Sequence, residues 1–195
     1  MQELAVDTVD YHTGGEPFRI VAESPVPIPG DCVADRRARA IADPAVDGLR
    51  QLLCFEPRGH ADMYGCFITP PDDAGADFGV LFWHKDGFST ACGHGTIALG
   101  VWAVDSGRVV PDPGGITDVT IDVPSGRVVA RVRTRAGQVT GVDFVKSPAM
   151  RWRLASKPRP AGGASASASG TEAPSTPTCG LLMRAWPSSR AMSMS

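Results

Sequence analysis

The sequence lacks most of the devices that announce a membrane, a disulfide scaffold or a bound cofactor. Its 195 residues contain no run of about 18 apolar side chains, the length a bilayer-spanning helix needs. Met1-Gln2-Glu3-Leu4 offers neither the basic start nor the apolar stretch of a signal peptide. The cysteines, at 32, 54, 66, 92 and 179, are odd in number and never fall as C-x-x-C. Neither a disulfide framework nor a zinc ribbon is expected, and the reading is a cytoplasmic chain with free thiols. The histidines, at 12, 60, 84 and 94, lack H-x-x-x-H or H-E-x-x-H spacing. Cys92-x-His94 at a helix start would aim two ligands apart, so no metal is expected. No G-x-G-x-x-G follows a strand and no Walker A sequence occurs. A pyridoxal Schiff base would have to use Lys85, Lys146 or Lys157, of which Lys146 precedes a Ser-Pro break and Lys157 lies in the tail. No cofactor is expected. An excess of either charge is missing too: the net charge is −2, which gives no reason to expect nucleic acid or an anionic membrane as partner.

What is present divides at a seam. Apolar residues make up 43%, enough for a packed core. Residues 1–150 carry a net charge of −7, whereas residues 151–195 carry +5. From Lys157 to Thr178 no Val, Ile, Leu, Met, Phe, Tyr or Trp occurs. A stretch of Ala, Ser, Gly, Pro and Thr buries too little apolar surface to offset its ordering entropy and is expected to be disordered. The expected organisation is therefore one lobe over 1–150 and a low-complexity tail over 151–195. Two origins fit the tail: a natural disordered extension, or a chain ended abnormally by truncation or a reading-frame shift. Cys179 to Ser195 regains Leu181, Leu182, Met183 and Trp186 without a sustained period.

Hydrophobic spacing gives the elements of the lobe. Alternation over Leu4–Tyr11 suits a strand, and Phe18–Ala22 follows the Gly14-Gly15 turn as a second. Asp43-Pro44 supplies an N-cap and a first helical proline, after which Val46, Leu49, Leu52 and Leu53 share one face. Met63–Thr69 and Phe78–Trp83 read as strands broken by Pro70-Pro71-Asp72-Asp73. Gly93–Asp105 reads as a helix whose apolar residues surround the axis, so it should be buried on most sides, with Gly107 as its stop. Thr117–Val123, Val128–Arg133 and Val139–Val145 are three further strands. The fold class expected is α+β, a curved, mostly antiparallel sheet wrapped around a buried central helix.

Chemistry is best placed at Ser89-Thr90-Ala91-Cys92-Gly93-His94-Gly95-Thr96. A helix start leaves its first amides free, and with the helix dipole they stabilise negative charge. The Cys92 thiolate is therefore expected to be favoured, making Cys92 the most reactive of the thiols. An anionic group such as a substrate carboxylate could sit on the same amides. Gly93 and Gly95 would let a ligand approach the backbone, and His94 could donate to thiolate or substrate. The bland alternative is a small buried hydrophobe. Two weaker signals are Asp10-Tyr11-His12-Thr13-Gly14-Gly15-Glu16-Pro17, a turn between strands, and Phe55-Glu56-Pro57-Arg58-Gly59-His60-Ala61-Asp62-Met63-Tyr64-Gly65. In the latter an ion pair between Glu56 and Arg58 is expected to shape the loop, and Tyr64 to wall a ring.

Taken together in this order and spacing, His12-Thr13-Gly14-Gly15-Glu16, Glu56-Pro57-Arg58-Gly59-His60 with Asp62-Met63-Tyr64-Gly65, and Cys92-Gly93-His94-Gly95-Thr96 resemble the proline racemase family. The resemblance covers about residues 4–148. It implies one diaminopimelate-epimerase-like lobe of two, with the site between lobes, and cofactor-free chemistry at the α-carbon of proline or hydroxyproline. It implies Cys92 as catalytic base, Gly93 and His94 as the carboxylate-binding helix start, and Tyr64 as a wall for the ring. The expected partner is that small-molecule substrate, with no nucleic acid and no membrane; a homodimer is left open. The family's second lobe carries the other base in an Asp-Arg-Ser-Pro-x-Gly-Thr-Gly type motif that does not occur in this sequence, so the expectation is half an active site, inactive by itself. An apolar mouth around Phe88, Cys92 and Tyr64 should then be exposed. His84-Lys85-Asp86-Gly87-Phe88-Ser89 resembles the trans-3-hydroxy-L-proline dehydratase branch more than the racemases. Proline racemase and 4-hydroxyproline 2-epimerase are the alternatives within the family, and a non-catalytic one-lobe binding protein is the alternative outside it.

Overall fold

The computed structural model describes residues 4–146 and 189–192. The seam at residue 150 and the expected disorder of 157–178 lie outside them. The chain runs β1 (Val6–Thr13), β2 (Glu16–Val21), α1 (Val33–Ala42), α2 (Pro44–Cys54), β3 (Tyr64–Thr69), β4 (Phe78–His84), β5 (Gly87–Phe88), α3 (Gly93–Asp105), β6 (Ile116–Val123), β7 (Gly126–Arg135), β8 (Gln138–Lys146) and β9 (Ser189–Met192).

These strands form one sheet in the order β8-β7-β6-β4-β3-β2-β1-β9, with β5 folded onto β4. Only β2–β3 and β4–β6 pair in parallel among the described strands. Both faces of the sheet are covered, which is why β4, Phe-Gly-Val-Leu-Phe-Trp, reads as a continuous apolar run. One set of its side chains, Phe78, Val80 and Phe82, joins Phe18, Ile20 and Cys66 against α3. The other set, Leu81 and Trp83, joins Val21 and Phe67 beneath α1 and α2.

Helix α3 is buried from Gly95 to Val104 because it has no polar face to offer water. The sheet curves around it, with β1 and β2 touching it from one end of the strand order and β6, β7 and β8 from the other. Gly100 permits close approach to β7: a Cβ there would lie 2.8 Å from the Ala130 methyl. The helix stops at Gly107, whose φ of +72° favours glycine and whose amide returns to the Val104 carbonyl at 3.0 Å. No helix among the described residues is long and apolar enough to cross a membrane.

Three elements escape the sequence reading: α1, the two-residue strand β5 and β9. Helix α1 lacks an apolar stripe; its arginines hold it down, Arg36 donating to Pro70 O at 2.7 Å and Arg37 through Nε to Phe88 O at 2.9 Å. Strand β9 lies on β1, with Val6 opposite Met192 and Thr8 opposite Arg190, in a segment without hydrophobic period. One placement needs correction: Phe88 is not at an exposed mouth. It is buried in the second core beside Phe67, their ring centroids 6.4 Å apart, on the sheet face under α1 and α2.

Candidate active site

The parallel β2–β3 pairing brings the three sequence motifs to one place. Phe18 stands opposite Tyr64, so the turn Gly14–Pro17 and the loop ending at Met63 arrive side by side at the sheet end where α3 begins. Thr13 ties the third motif in, its Oγ1 donating to His94 O at 3.0 Å. A cavity of about 590 Å³ opens there, lined by Gly15, Glu16, Pro17, His60, Asp62, Tyr64 and His94.

Arg19 fixes the loop. It is buried and donates from Nη1 to the carbonyls of Leu53 at 3.0 Å and Arg58 at 2.6 Å, while its other nitrogens pair with Asp10. The expected ion pair between Glu56 and Arg58 is not formed, and neither residue has an ion pair among the described residues; the loop is held through its backbone by Arg19. Within the loop His60 Nδ1 accepts from the Asp62 amide at 3.3 Å, which places any proton of the neutral ring on Nε2.

Helix α3 starts as the sequence indicates. Cys92 is its N-cap, and the first helical bond runs from the Thr96 amide to Cys92 O at 3.0 Å. The amides of Gly93, His94 and Gly95 precede that bond and have no carbonyl of the helix to donate to. The glycines divide their work differently from expectation. Gly93 faces open space, suiting ligand approach. Gly95 is buried, and a Cβ there would fall 2.4 Å from the Phe18 ring, so its role is packing of the helix onto β2.

Tyr64, half exposed at 36%, meets His94 edge-on with centroids 5.0 Å apart and lies 5.3 Å from the His84 ring. His94 Nδ1 is 3.0 Å from Glu16 Oε2. The Cys92 sulfur is 3.5 Å from His94 Nδ1 and 3.7 Å from Nε2. Cys92 itself is 8% exposed and sits behind His94, in the core around α3, instead of lining the cavity. That burial reverses one expectation. Desolvation pushes the thiol up to about 11; the Gly95 amide opposes the rise, and the Glu16 carboxylate adds to it. In this lobe the free amides of the helix start do not outweigh the loss of water. Burial likewise lowers the pKa of His94, with Glu16 pulling it back up.

The site residues expected from sequence thus fall into three positions: Tyr64 and His94 on the cavity, Gly93 exposed on the helix start, Cys92 beneath. Glu16, His60 and Asp62 complete the lining. All three stood in the motifs, but strand pairing was needed to bring them together. Among the described residues, no group of three His, Cys, Asp or Glu side chains is disposed to hold a metal.

The sequence profile of the proline racemase family matches residues 8–157. A trans-3-hydroxy-L-proline dehydratase of Burkholderia cenocepacia is 46% identical over 152 residues, covering 76% of this chain and 44% of the relative. The chain belongs to the proline racemase family. A 3-hydroxyproline 2-epimerase of Burkholderia multivorans is similar at 45% identity, over 76% of this chain and 44% of the relative. Among solved structures, the hydroxyproline epimerase of Agrobacterium vitis with bound trans-4-hydroxy-L-proline superposes with a TM-score of 0.67 at 26% identity, covering 72% of this chain and 41% of that one. The chain spans less than half the length of these relatives.

Proposed function

We propose that this lobe supplies one half of the active site of a trans-3-hydroxy-L-proline dehydratase, with Cys92 as the base that removes the α-proton. The observation that carries the reading is the free amides of α3 beside a Tyr64-walled cavity, with Cys92 directly beneath His94 on its wall, in a chain 46% identical to a dehydratase of that name.

The chemistry follows from the groups present. An α-hydrogen beside a carboxylate is a very weak acid, so its removal requires preformed donors where charge grows. The carboxylate sits on the amides of Gly93 and His94, and the ring lies against Tyr64. The Cys92 sulfur takes the α-proton, and the C–H electron pair passes into the carboxylate held by those amides. In a 3-hydroxyproline the electron pair then forms the double bond as the C–O bond on the neighbouring carbon breaks, and the hydroxyl leaves as water with the proton the sulfur had taken, which restores the thiolate. One base suffices for that outcome, and the reading needs no cofactor, since backbone amides hold the charge. Inversion, as in a racemase or epimerase, would need a second base on the opposite ring face. The similarity to the epimerase of Burkholderia multivorans supports this second reading.

The test joins residues 1–146 to the second lobe of the dehydratase of Burkholderia cenocepacia. Trans-3-hydroxy-L-proline, L-proline and trans-4-hydroxy-L-proline are then assayed side by side, with the 195-residue chain alone as control. The expected result is loss of water from the 3-hydroxy substrate by the chimera and no turnover by the chain alone. Formation of D-proline without that loss of water overturns the dehydratase reading in favour of a racemase.

A further inference from the structure

Cys92 must shed a proton before it can take one, and its surroundings hold that proton on the sulfur. Within reach of the sulfur, His94 offers nitrogens at 3.5 and 3.7 Å. Behind His94, on the cavity side, stands Glu16, whose Oε2 is 3.0 Å from Nδ1. Glu16 opens β2, and its side chain is 68% exposed, so neither packing nor the strand requires a carboxylate there. The remaining titratable groups around His94 are Tyr64 at the start of β3 and, across the cavity, His60 and Asp62.

We propose that Glu16 is the positioning residue that makes His94 the acceptor of the Cys92 proton. The carboxylate keeps a proton on Nδ1, so although that nitrogen is the nearer to the sulfur at 3.5 Å, the lone pair left for the thiol proton is that of Nε2 at 3.7 Å. In the transfer the S–H bond breaks and its electron pair stays on sulfur. The proton joins the Nε2 lone pair, and the resulting imidazolium rests against Glu16. Nothing is oxidised or reduced, and the thiolate so formed is ready to take the α-proton. Glu16 thus acts in two opposed ways, repelling the thiolate directly and stabilising the imidazolium it touches at 3.0 Å; the relay requires the second to outweigh the first, and the two predict rate changes of opposite sign on its removal. The catalytic meaning of this relay rests on Cys92 being the base, but the relay itself is measurable without substrate.

The experiment uses the full chain, neutral iodoacetamide and peptide mass mapping, with Cys32 as internal control. Glu16→Gln is expected to slow Cys92 alkylation at neutral pH by about three- to tenfold. His94→Gln should slow it by a similar factor, and the double variant no further, because both act through one path. Ring ¹⁵N shifts should place the neutral His94 proton on Nδ1 in the unaltered chain. An unchanged or faster Cys92 rate in Glu16→Gln overturns the proposal, since direct repulsion alone gives acceleration. A neutral His94 carrying its proton on Nε2 overturns it as well. Glu16→Gln alters an exposed group, so its result stands even should the His94 variant fail to fold. A chimera inactive on every proline substrate would overturn the functional reading and leave these rates unaffected.

Discussion

Arg19 grips Asp10 through two parallel hydrogen bonds, Nε to Oδ1 at 2.8 Å and Nη2 to Oδ2 at 2.7 Å. The remaining nitrogen holds the carbonyls of Leu53 and Arg58. One buried guanidinium therefore joins β1 and β2 to the end of α2 and to the loop that delivers His60, Asp62 and Tyr64 to the cavity. Arg19→Ala should cost about 2–4 kcal/mol of unfolding free energy, mainly because it leaves the carbonyls of Leu53 and Arg58 without this donor, while Asp10, 41% exposed, turns to water. Arg19→Lys should recover less than half of that, since an ammonium lacks the fork. Urea unfolding of the three forms measures it, and a loss below about 1 kcal/mol for Arg19→Ala would show that the loop is held by other contacts.

Gly93 and Gly95 stand two residues apart with opposite requirements. Gly95→Ala drives a methyl into the Phe18 ring and should destabilise the lobe by about 1–3 kcal/mol. Gly93→Ala meets nothing within 4 Å and should leave stability within about 0.5 kcal/mol. In the chimera it should raise KM by narrowing the carboxylate's approach. Equal destabilisation by both substitutions would contradict the packing role assigned to Gly95.

Alkaline pH should unfold the lobe early. Burial raises the Cys92 thiol to about 11, and burial with the neighbouring Asp105 raises the Tyr11 hydroxyl to about 12. Both groups hold protons in the folded state that they release in the unfolded one. Their contribution is complete below about pH 9, the ordinary thiol value, and is lost as pH climbs from there toward 12. Unfolding midpoints across that range should fall more gently in Cys92→Ala and Tyr11→Phe than in the unaltered chain. A midpoint rising with pH would have the wrong sign for this account.

Thiol reactivity at neutral pH should follow exposure. Cys32 is half-buried, whereas Cys54, Cys66 and Cys92 are buried, and burial raises the pKa of each of these three. Among these four, Cys32 should be alkylated first and Cys66, fully buried and held well above its ordinary value by the loss of water, last. Mass mapping of a time course tests the order. Cys92 reacting ahead of Cys32 would restore the argument from the helix start alone.

Strands and helices with a clean hydrophobic period were readable, from β1 and β2 through the buried α3. Helix α1 was not, since its N-cap is Cys32, whose sulfur accepts from the Asp35 amide at 3.4 Å, and its buried face includes Arg36. Neither is a signal that spacing rules recognise: cysteine is not among the usual N-caps, and Arg36 is buried because Pro70, outside the helix, supplies it a carbonyl. The site was legible as three motifs, but not the geometry within them. That Glu16 lies against His94 follows from the β2–β3 pairing, and that Cys92 is held protonated follows from the wall of core residues around it. Local sequence gave the helix start its charge preference; tertiary burial reversed the balance.

The central claim, that Cys92 removes the α-proton, is tested most directly by release of the α-deuterium from trans-3-hydroxy-L-proline labelled at that carbon. The chimera carrying this lobe should release it into water, and Cys92→Ser should lower the rate by about 10²- to 10⁴-fold while leaving the unfolding midpoint nearly unchanged. Release of the label at an undiminished rate by the folded Cys92→Ser chimera would contradict the claim.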